Sequence, residues 1–571
     1  KEGKLYSIIP TNGNGDFSVT RATTATRVNA AGLVELVPYN LLTYSEMFSN
    51  AAWTKAASSV TPNITTAPNG TLTADSLIED NTNAVHQTIQ STPSAGGVYT
   101  SSVYLKPNGR NWVNINIAAA ANYGAWFDLQ NGVTGTIQAN ITSATITSVG
   151  DGWYRCTLTA NTGAIAPRMS LTLSTANNVT SYLGNGTSGV FLWGAQLVEG
   201  TSALDYQMTE TRLNIPRLDY SLGSCPNILL EPQRTNLLLR SEEFDNASWV
   251  KTAVSITANS TTSPSGVVNA DTLTADGTLN FHQAAQFPSV VTSGTTYSFS
   301  VYAKKNTNNF LQLYGGSTSF GLNVWANFNL DSGVVGSVGS STTASIQSVG
   351  NGWYRCIITG AATATISGSV AAIIVTSATS LRGESNSLST SVFLWGAQLE
   401  AGAYPTSYIP TSSASVTRNA DVISRGNIFT NGLITASGGT WFVDLSNNLS
   451  LVRDVYSTGL FVGDTTGAAN SLAIRNAGGT ANRLAIQKFI ASIPTTLFTT
   501  TTSNVKIAIK WNGATADVFV NGVKVVTATA FTTTAMQFLS HIAPIDVPKN
   551  INSMALFPTP LTDTQCIALT T

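Results

Sequence analysis

Aromatic and amide side chains alternate with aliphatic ones along three successive runs. In an extended strand, alternate residues face opposite ways. In Val103-Tyr104-Leu105-Lys106 the aliphatics take the core side, which leaves Tyr104 and Lys106 on the other. In the next run Val113, Ile115 and Ile117 point inward, and Trp112, Asn114 and Asn116 outward. In the third, Phe127 and Leu129 oppose Trp126 and Asp128. The same logic recurs about 200 residues later. Tyr302 and Lys304 come first, then Phe310, Gln312 and Tyr314 opposite Leu311 and Leu313. Trp325, Asn327 and Asn329 follow, opposite Ala326, Phe328 and Leu330. Three consecutive strands are thus expected to put these side chains on one sheet face. Aromatic rings cover the apolar C–H face of a pyranose, and amides and Lys satisfy its hydroxyls. That face is the candidate glycan site. The same mixture also suits packing against a neighbouring module or a symmetry mate.

Other chemistry is scarce. His86-Gln87 and His282-Gln283 are the repeated His positions, and His541 is the third His. None has a second His or Cys nearby in sequence, so no metal site is expected; a structural His–Gln hydrogen-bonding pair is. No strained Ser elbow marks a nucleophile, and no catalytic residue is assigned. Asp75/Asp271 and Glu46/Glu242 are duplicated acids, which suit either turn capping or a structural Ca²⁺; no other cofactor is expected. Cys156, Cys225, Cys356 and Cys566 are widely spaced, without a C-x-x-C pattern. Cys156 and Cys356 occupy equivalent places and read as two buried thiols. In Gly352-Trp353-Tyr354-Arg355-Cys356, Trp and Arg share a face, which suits a cation–π contact.

These residues sit in a module written twice, over 40–208 and 236–412. Asn40-Leu41-Leu42 returns as Asn236-Leu237-Leu238, and Trp53 as Trp249. Gly152-Trp153-Tyr154-Arg155-Cys156 returns as Gly352-Trp353-Tyr354-Arg355-Cys356. Phe191-Leu192-Trp193-Gly194-Ala195-Gln196-Leu197 returns as Phe393-Leu394-Trp395-Gly396-Ala397-Gln398-Leu399. The offset grows from 196 (249 minus 53) to 202 (395 minus 193), as loop insertions would make it. Tandem duplication suits binding or building, where a second copy adds avidity or length.

Charged residues make up 10% of the chain, against about 25% in an average protein. Ser, Thr, Asn, Ala and 47 Gly fill the gap. A hydroxyl and amide surface suits extracellular β proteins and argues against long exposed helices. With 28 Lys plus Arg and 29 Asp plus Glu, no basic face for nucleic acid is visible. No apolar run approaches the ~20 residues of a membrane span, so no membrane insertion is expected. No signal peptide is visible, and the start at Lys1 rather than Met makes that uninformative.

Short alternating runs bounded by Gly, Asn, Ser and Thr predict an all-β chain of three β-sandwich (jelly-roll) modules joined by short β connectors. The expected parts are an N-terminal connector over 1–39, module one over 40–208 and a connector over 209–235 that pairs with the N-terminal segment. Module two covers 236–412 and a third sandwich 413–571. A hairpin is read around Asn29-Ala30-Ala31-Gly32. Asn512-Gly513 and Asn521-Gly522 mark tight turns of a meander, since type I′ turns need positive φ at both central residues. Thr562 or Asp563 is expected to cap a single helical turn. Ser415-Val416-Thr417-Arg418 echoes Ser18-Val19-Thr20-Arg21.

The connector phrases Ala25-Thr26-Arg27-Val28-Asn29-Ala30, Pro216-Arg217-Leu218-Asp219-Tyr220 and Leu230-Glu231-Pro232-Gln233-Arg234 resemble those of tailed-bacteriophage structural proteins. So does Ala403-Tyr404-Pro405-Thr406-Ser407-Tyr408. The last module is similar to concanavalin-like (laminin-G-like) sandwiches through Phe519-Val520-Asn521-Gly522-Val523. The resemblance implies a non-enzymatic virion fibre or appendage with carbohydrate-binding-like modules, homo-oligomeric (a trimer) and bound to other virion proteins. Its implied task is adhesion to bacterial-surface or environmental glycans. The rival readings are a purely structural head or tail decoration protein and a polysaccharide depolymerase.

Overall fold

The alternating runs form strands, and the turn residues between them adopt backbone that few other residues tolerate. Asn521 and Gly522 both have positive φ (45° and 78°) between strands Thr515–Val520 and Val523–Ala530, the type I′ geometry that Asn-Gly favours. Asn29 closes the first hairpin differently: its side chain accepts from Ala31 and Leu33 N–H between Thr26–Val28 and Val34–Leu36. In this computed structural model the described residues are 18–21, 23–37, 40–92, 97–203, 206–209, 216–288, 290–435, 437–446, 457–464, 470–476, 483–502, 504–531, 536–541 and 549–571. Residues 1–17 of the expected N-terminal connector therefore lie outside them. The chain is all-β, with sandwiches of antiparallel sheets.

Among the described residues module one is built on two six-stranded sheets. The first, the Trp112 sheet, has Trp112–Ala118 between Gly124–Asp128 and Pro167–Ser174. The second, the Tyr104 sheet, has Val98–Asn108 between Trp153–Asn161 and Gly189–Glu199. One core joins them: Val103, Leu105 and Leu192 from one sheet pack with Val113, Ile115, Phe127 and Leu171 from the other. Module two repeats the strand order, with a Phe310 sheet and a Tyr302 sheet around an equivalent core.

The repeated phrases are explained by a clasp. Asn40 Oδ1 accepts from Leu197 N–H at 3.0 Å, and its Nδ2 donates to Ala195 and Gln207 carbonyls. Asn236 does the same with Leu399, Ala397 and Ile409. A bulge in Gly189–Glu199 follows Trp193. Gly194 sits there at φ 63°, where a Cβ would lie 3.0 Å from the Tyr104 ring. Only glycine combines that φ with that contact. Trp53, Trp153, Trp249, Trp353 and Trp395 are all nearly fully buried.

Two compact units result, one holding module one and the other holding the hairpin, module two and the third sandwich. In the second unit the described residues of the third sandwich form two seven-stranded sheets, and connectors supply edge strands to both. Ser18–Thr20 pairs with Val422–Arg425. Asn227–Leu230 pairs with Lys549–Phe557 and with Leu218–Asp219. The hairpin meets the middle connector through Tyr220 N–H to the Val28 carbonyl (2.9 Å) and Val28 N–H to Asp219 (2.8 Å). The C-terminal helix is longer than the single turn expected. It runs Asp563–Thr570, with a Thr562/Gln565 capping box, and Cys566 and Leu569 pack on Phe442, Ala508 and Phe519. A cap of this kind contributes about 1 kcal/mol; the packing supplies the rest. Among the described residues no helix is long and apolar enough to cross a membrane.

Candidate ligand-binding faces

Strand register decides which outward side chains meet. Trp112, Asn114 and Asn116 lie opposite Asp128, Trp126 and Gly124. Phe310, Gln312 and Tyr314 lie opposite Asn329, Asn327 and Trp325. These two strands of each copy do share one outer face. Tyr104 and Lys106, with Tyr302 and Lys304, do not belong to it. Their strands are in the other sheet of each sandwich, because the chain crosses between sheets at residues 109–111 and 306–309. The expected three-strand face is thus split over two opposite surfaces. There Tyr104 packs edge-on against Trp193 (5.2 Å) and Tyr302 against Trp395 (5.2 Å). The Arg of the repeated strand stacks on Tyr rather than on Trp: Arg155 on Tyr104 (5.6 Å) and Arg355 on Tyr302 (5.4 Å).

Register also gives the equivalences. The counterpart of Trp325 is Gly124, and that of Trp126 is Asn327. Asp128 and Asn329 correspond, and both cap the following turn. Asp128 Oδ1 accepts from Gln130 and Asn131 N–H, and Asn329 Oδ1 from Asp331 and Ser332 N–H. Asp128 is therefore a buried turn residue, 5% exposed, rather than part of the open face.

A return loop covers the middle of each face. In module one Trp126 is 3% exposed and donates to the Val179 carbonyl at 3.2 Å. Asn114 is buried and donates to Ala125. Asn177 reaches across to Thr136 N–H. A Cβ on Gly135 would meet both Asn177 Oδ1 (2.4 Å) and the Trp112 ring (2.6 Å). In module two Gln312 and Asn327 are fully buried. Gln312 donates to Asn327 and Leu381 and accepts from Gly383 N–H. Asn327 donates to Ala378 and Ser380 carbonyls. Of the residues expected to meet a ligand, Trp126, Gln312 and Asn327 instead bond the backbone of a covering loop, and Asn114 bonds the Ala125 carbonyl of the neighbouring strand. Buried amides need such partners.

Phe310, Tyr314 and Trp325 remain half-buried on module two, and Trp112 and Asn116 on module one. Tyr314 and Trp325 are a direct cross-strand pair. The Tyr314 hydroxyl donates to Gln283 at 2.8 Å, and Arg382 stacks 4.6 Å from its ring centroid. Burial raises the Tyr314 hydroxyl above its ordinary value, against the pull of Arg382. Arg382 was invisible to strand parity because it lies in the loop. Its Nη2 donates to the Gly315 carbonyl at 3.0 Å, which holds it over the ring.

The duplicated acids are not arranged around a metal. Asp75 accepts backbone N–H from Phe48 and Asn63 (2.9 and 3.0 Å), and Asp271 from Phe244 and Asn259. Burial nevertheless raises both carboxyls. The carbonyls nearby that would suit a cation are taken by an ammonium: Lys55 donates to Ser49, Asn50 and Trp53. Lys251 repeats this at Asp245 and Asn246. No metal-ligating cluster occurs among the described residues. His86 and His282 do not bond to the adjacent Gln; each ring lies between two backbone carbonyls, Ala57 and Tyr182, and Ala253 and Asn386. Glu79 is buried beside Arg110 and Tyr182. Burial would raise it, but the Arg110 and Tyr182 hydrogen bonds hold it below its ordinary value.

No family model and no curated protein matches the chain. Among solved structures, a CBM40 of the Ruminococcus gnavus IT-sialidase is 13% identical, over 25% of this chain and 86% of that one, with a TM-score of 0.19. The same CBM40 bound to alpha2,3 sialyllactose gives 12%, 25%, 86% and 0.18. A GH43 protein, BlXynB from Bacillus licheniformis, is 7% identical over 82% of this chain and 100% of that one, with a TM-score of 0.18. At such scores the likeness assigns neither a family nor a ligand.

Proposed function

We propose that this chain is a non-enzymatic appendage component of a tailed-phage virion, displayed as a homo-oligomer (a trimer) among other virion proteins. It adheres to bacterial-surface or environmental glycans through the aromatic patch of module two. The observation that carries the reading is the cross-strand pair Tyr314–Trp325, with Phe310 on the same strand as Tyr314, all half-buried on one sheet face. The Trp325 and Phe310 rings offer apolar surface for a pyranose, and Arg382, stacked over Tyr314, and Gln283 supply donors for hydroxyls. The connector phrases supply the virion context by resemblance. A single site of millimolar affinity contributes only about 4 kcal/mol, so several copies acting together are what make adhesion effective.

Glycan-array binding of the intact protein tests this. Trp325→Ala and Phe310→Ala are expected to abolish binding while melting temperature and circular dichroism stay near wild type. Binding that survives both substitutions sinks the reading. A second reading, purely structural decoration, is favoured by one observation: Trp126, Gln312 and Asn327 are spent on loop closure. A particle reconstruction with the Trp325 face buried against another protein would support it.

A further inference from the structure

The duplication gives one surface an internal control. In module two the outer side of the Tyr302 sheet seats the hairpin Thr26–Val28/Val34–Leu36. Val34 belongs to a cluster with Trp353, Trp395 and Tyr408, and Val28 and Val349 pack against it. Val34 N–H donates to the Pro264 carbonyl at 2.9 Å. The Thr26 hydroxyl donates to the Tyr408 carbonyl at 2.5 Å. Leu33 lies against the Pro264–Gly266 turn, so close that a Cβ on Gly266 would meet its Cδ1 at 2.9 Å.

Module one keeps the whole receptor. Trp153, Trp193 and Tyr206 form the same cluster, Val149 stands for Val349, and Pro68 and Gly70 stand for Pro264 and Gly266. Among the described residues, no hairpin lies on it. A Cβ on Gly70 would meet nothing within 4 Å. Val149 is 43% exposed. Tyr206 is only half-buried, whereas Tyr408 is 2% exposed. Among the described residues the receptor is retained residue by residue while no counterpart of the hairpin is, which points to a ligand supplied from elsewhere.

We infer that this face of module one is a docking site for a β-hairpin of a partner polypeptide. The partner's chemistry is set by module two. Two β-branched aliphatic residues at facing positions enter between the Trp rings and Val149. A Leu beside the turn covers Gly70. A strand N–H bonds the Pro68 carbonyl, and a Thr or Ser hydroxyl bonds the Tyr206 carbonyl. In a virion appendage such a hairpin would anchor the chain to a neighbouring structural protein. The docking face lies on module one and the aromatic patch on module two, so it does not depend on glycan binding.

The probe is a synthetic hairpin with the sequence of residues 24–38, closed by a disulfide between added terminal cysteines and carrying a photo-crosslinker. It is added to the full chain and its crosslinks are mapped by mass spectrometry. Crosslinks at 66–72 and 149–153 are expected. Val149→Asp, which puts a carboxylate against the docked valines, should weaken binding by about tenfold or more, and Val349→Asp should not. No binding up to millimolar peptide overturns the inference. Crosslinks confined to 262–268 also overturn it, since the peptide would only be replacing the chain's own hairpin. Binding insensitive to Val149→Asp does so as well.

Discussion

Arg217 and Asp421, 204 positions apart in sequence, form a doubly hydrogen-bonded ion pair buried from solvent. It is the centre of a larger cluster. Arg21 reaches Asp421 at 2.7 Å, Arg217 reaches Glu231 at 2.7 Å, and Arg418 approaches both acids at 3.5 and 3.6 Å. Ser407 donates to Glu231 through both N–H and hydroxyl. Every connector of the second unit therefore contributes to one site. The echo of Ser18-Val19-Thr20-Arg21 in Ser415-Val416-Thr417-Arg418 is explained by it, because both arginines face Asp421.

Asp421→Asn removes the carboxylate shared by Arg21, Arg217 and Arg418 and leaves Glu231 to Arg217 and Arg418. Breaking a buried pair by removing one charge costs about 3–5 kcal/mol. Urea denaturation should show that loss, and limited proteolysis should cut residues 18–37 first. A loss below about 1 kcal/mol would mean the cluster behaves as a solvated one.

The same cluster sets an acid limit. Burial would raise Glu231 and Asp421, but the adjacent arginines, Arg217 foremost, hold each down at about 2. In the unfolded chain both titrate near 4. Folded values below unfolded ones give stability that is full above about pH 5 and lost as pH falls from about 4 toward 2. Asp75, Asp271, Glu242 and Glu400 are raised, by burial first, and act in the opposite sense. The acid transition of wild type should therefore flatten in Asp421→Asn, followed by fluorescence against pH. An unchanged slope would assign acid lability to other groups.

Lys55 holds three carbonyls of the first module's opening loop. Lys55→Met should lower that module's stability by about 1–3 kcal/mol, since the carbonyls lose their donor. Chelator should leave the wild-type melting temperature unmoved, because an ammonium occupies the place a cation would take. A drop on adding EDTA would show that a metal ion contributes after all.

Burial pushes the Cys156, Cys356 and Cys566 thiols up, whereas Cys225 is exposed. Thiolate is the reactive form. A thiol reagent should modify one cysteine per native chain rapidly and all four in urea. Rapid modification of two or more would show that one of these cores opens.

Sequence alone determined the alternation that sends Val113, Ile115, Phe127 and their counterparts inward, the two copies, and the turns at Asn521-Gly522. Those follow from a period of two and from local φ preferences, which nearest neighbours dictate. Strand parity also found Trp112, Phe310, Tyr314 and Trp325. Only the tertiary structure decided which sheet each strand joined, and so separated Tyr104 and Tyr302 from the Trp112 and Phe310 strands. It also decided that Trp126, Gln312 and Asn327 serve a loop, and that five scattered connector charges meet. Sheet membership, loop return and ion pairing depend on contacts 50 to 400 residues apart, and no local pattern along the chain encodes them.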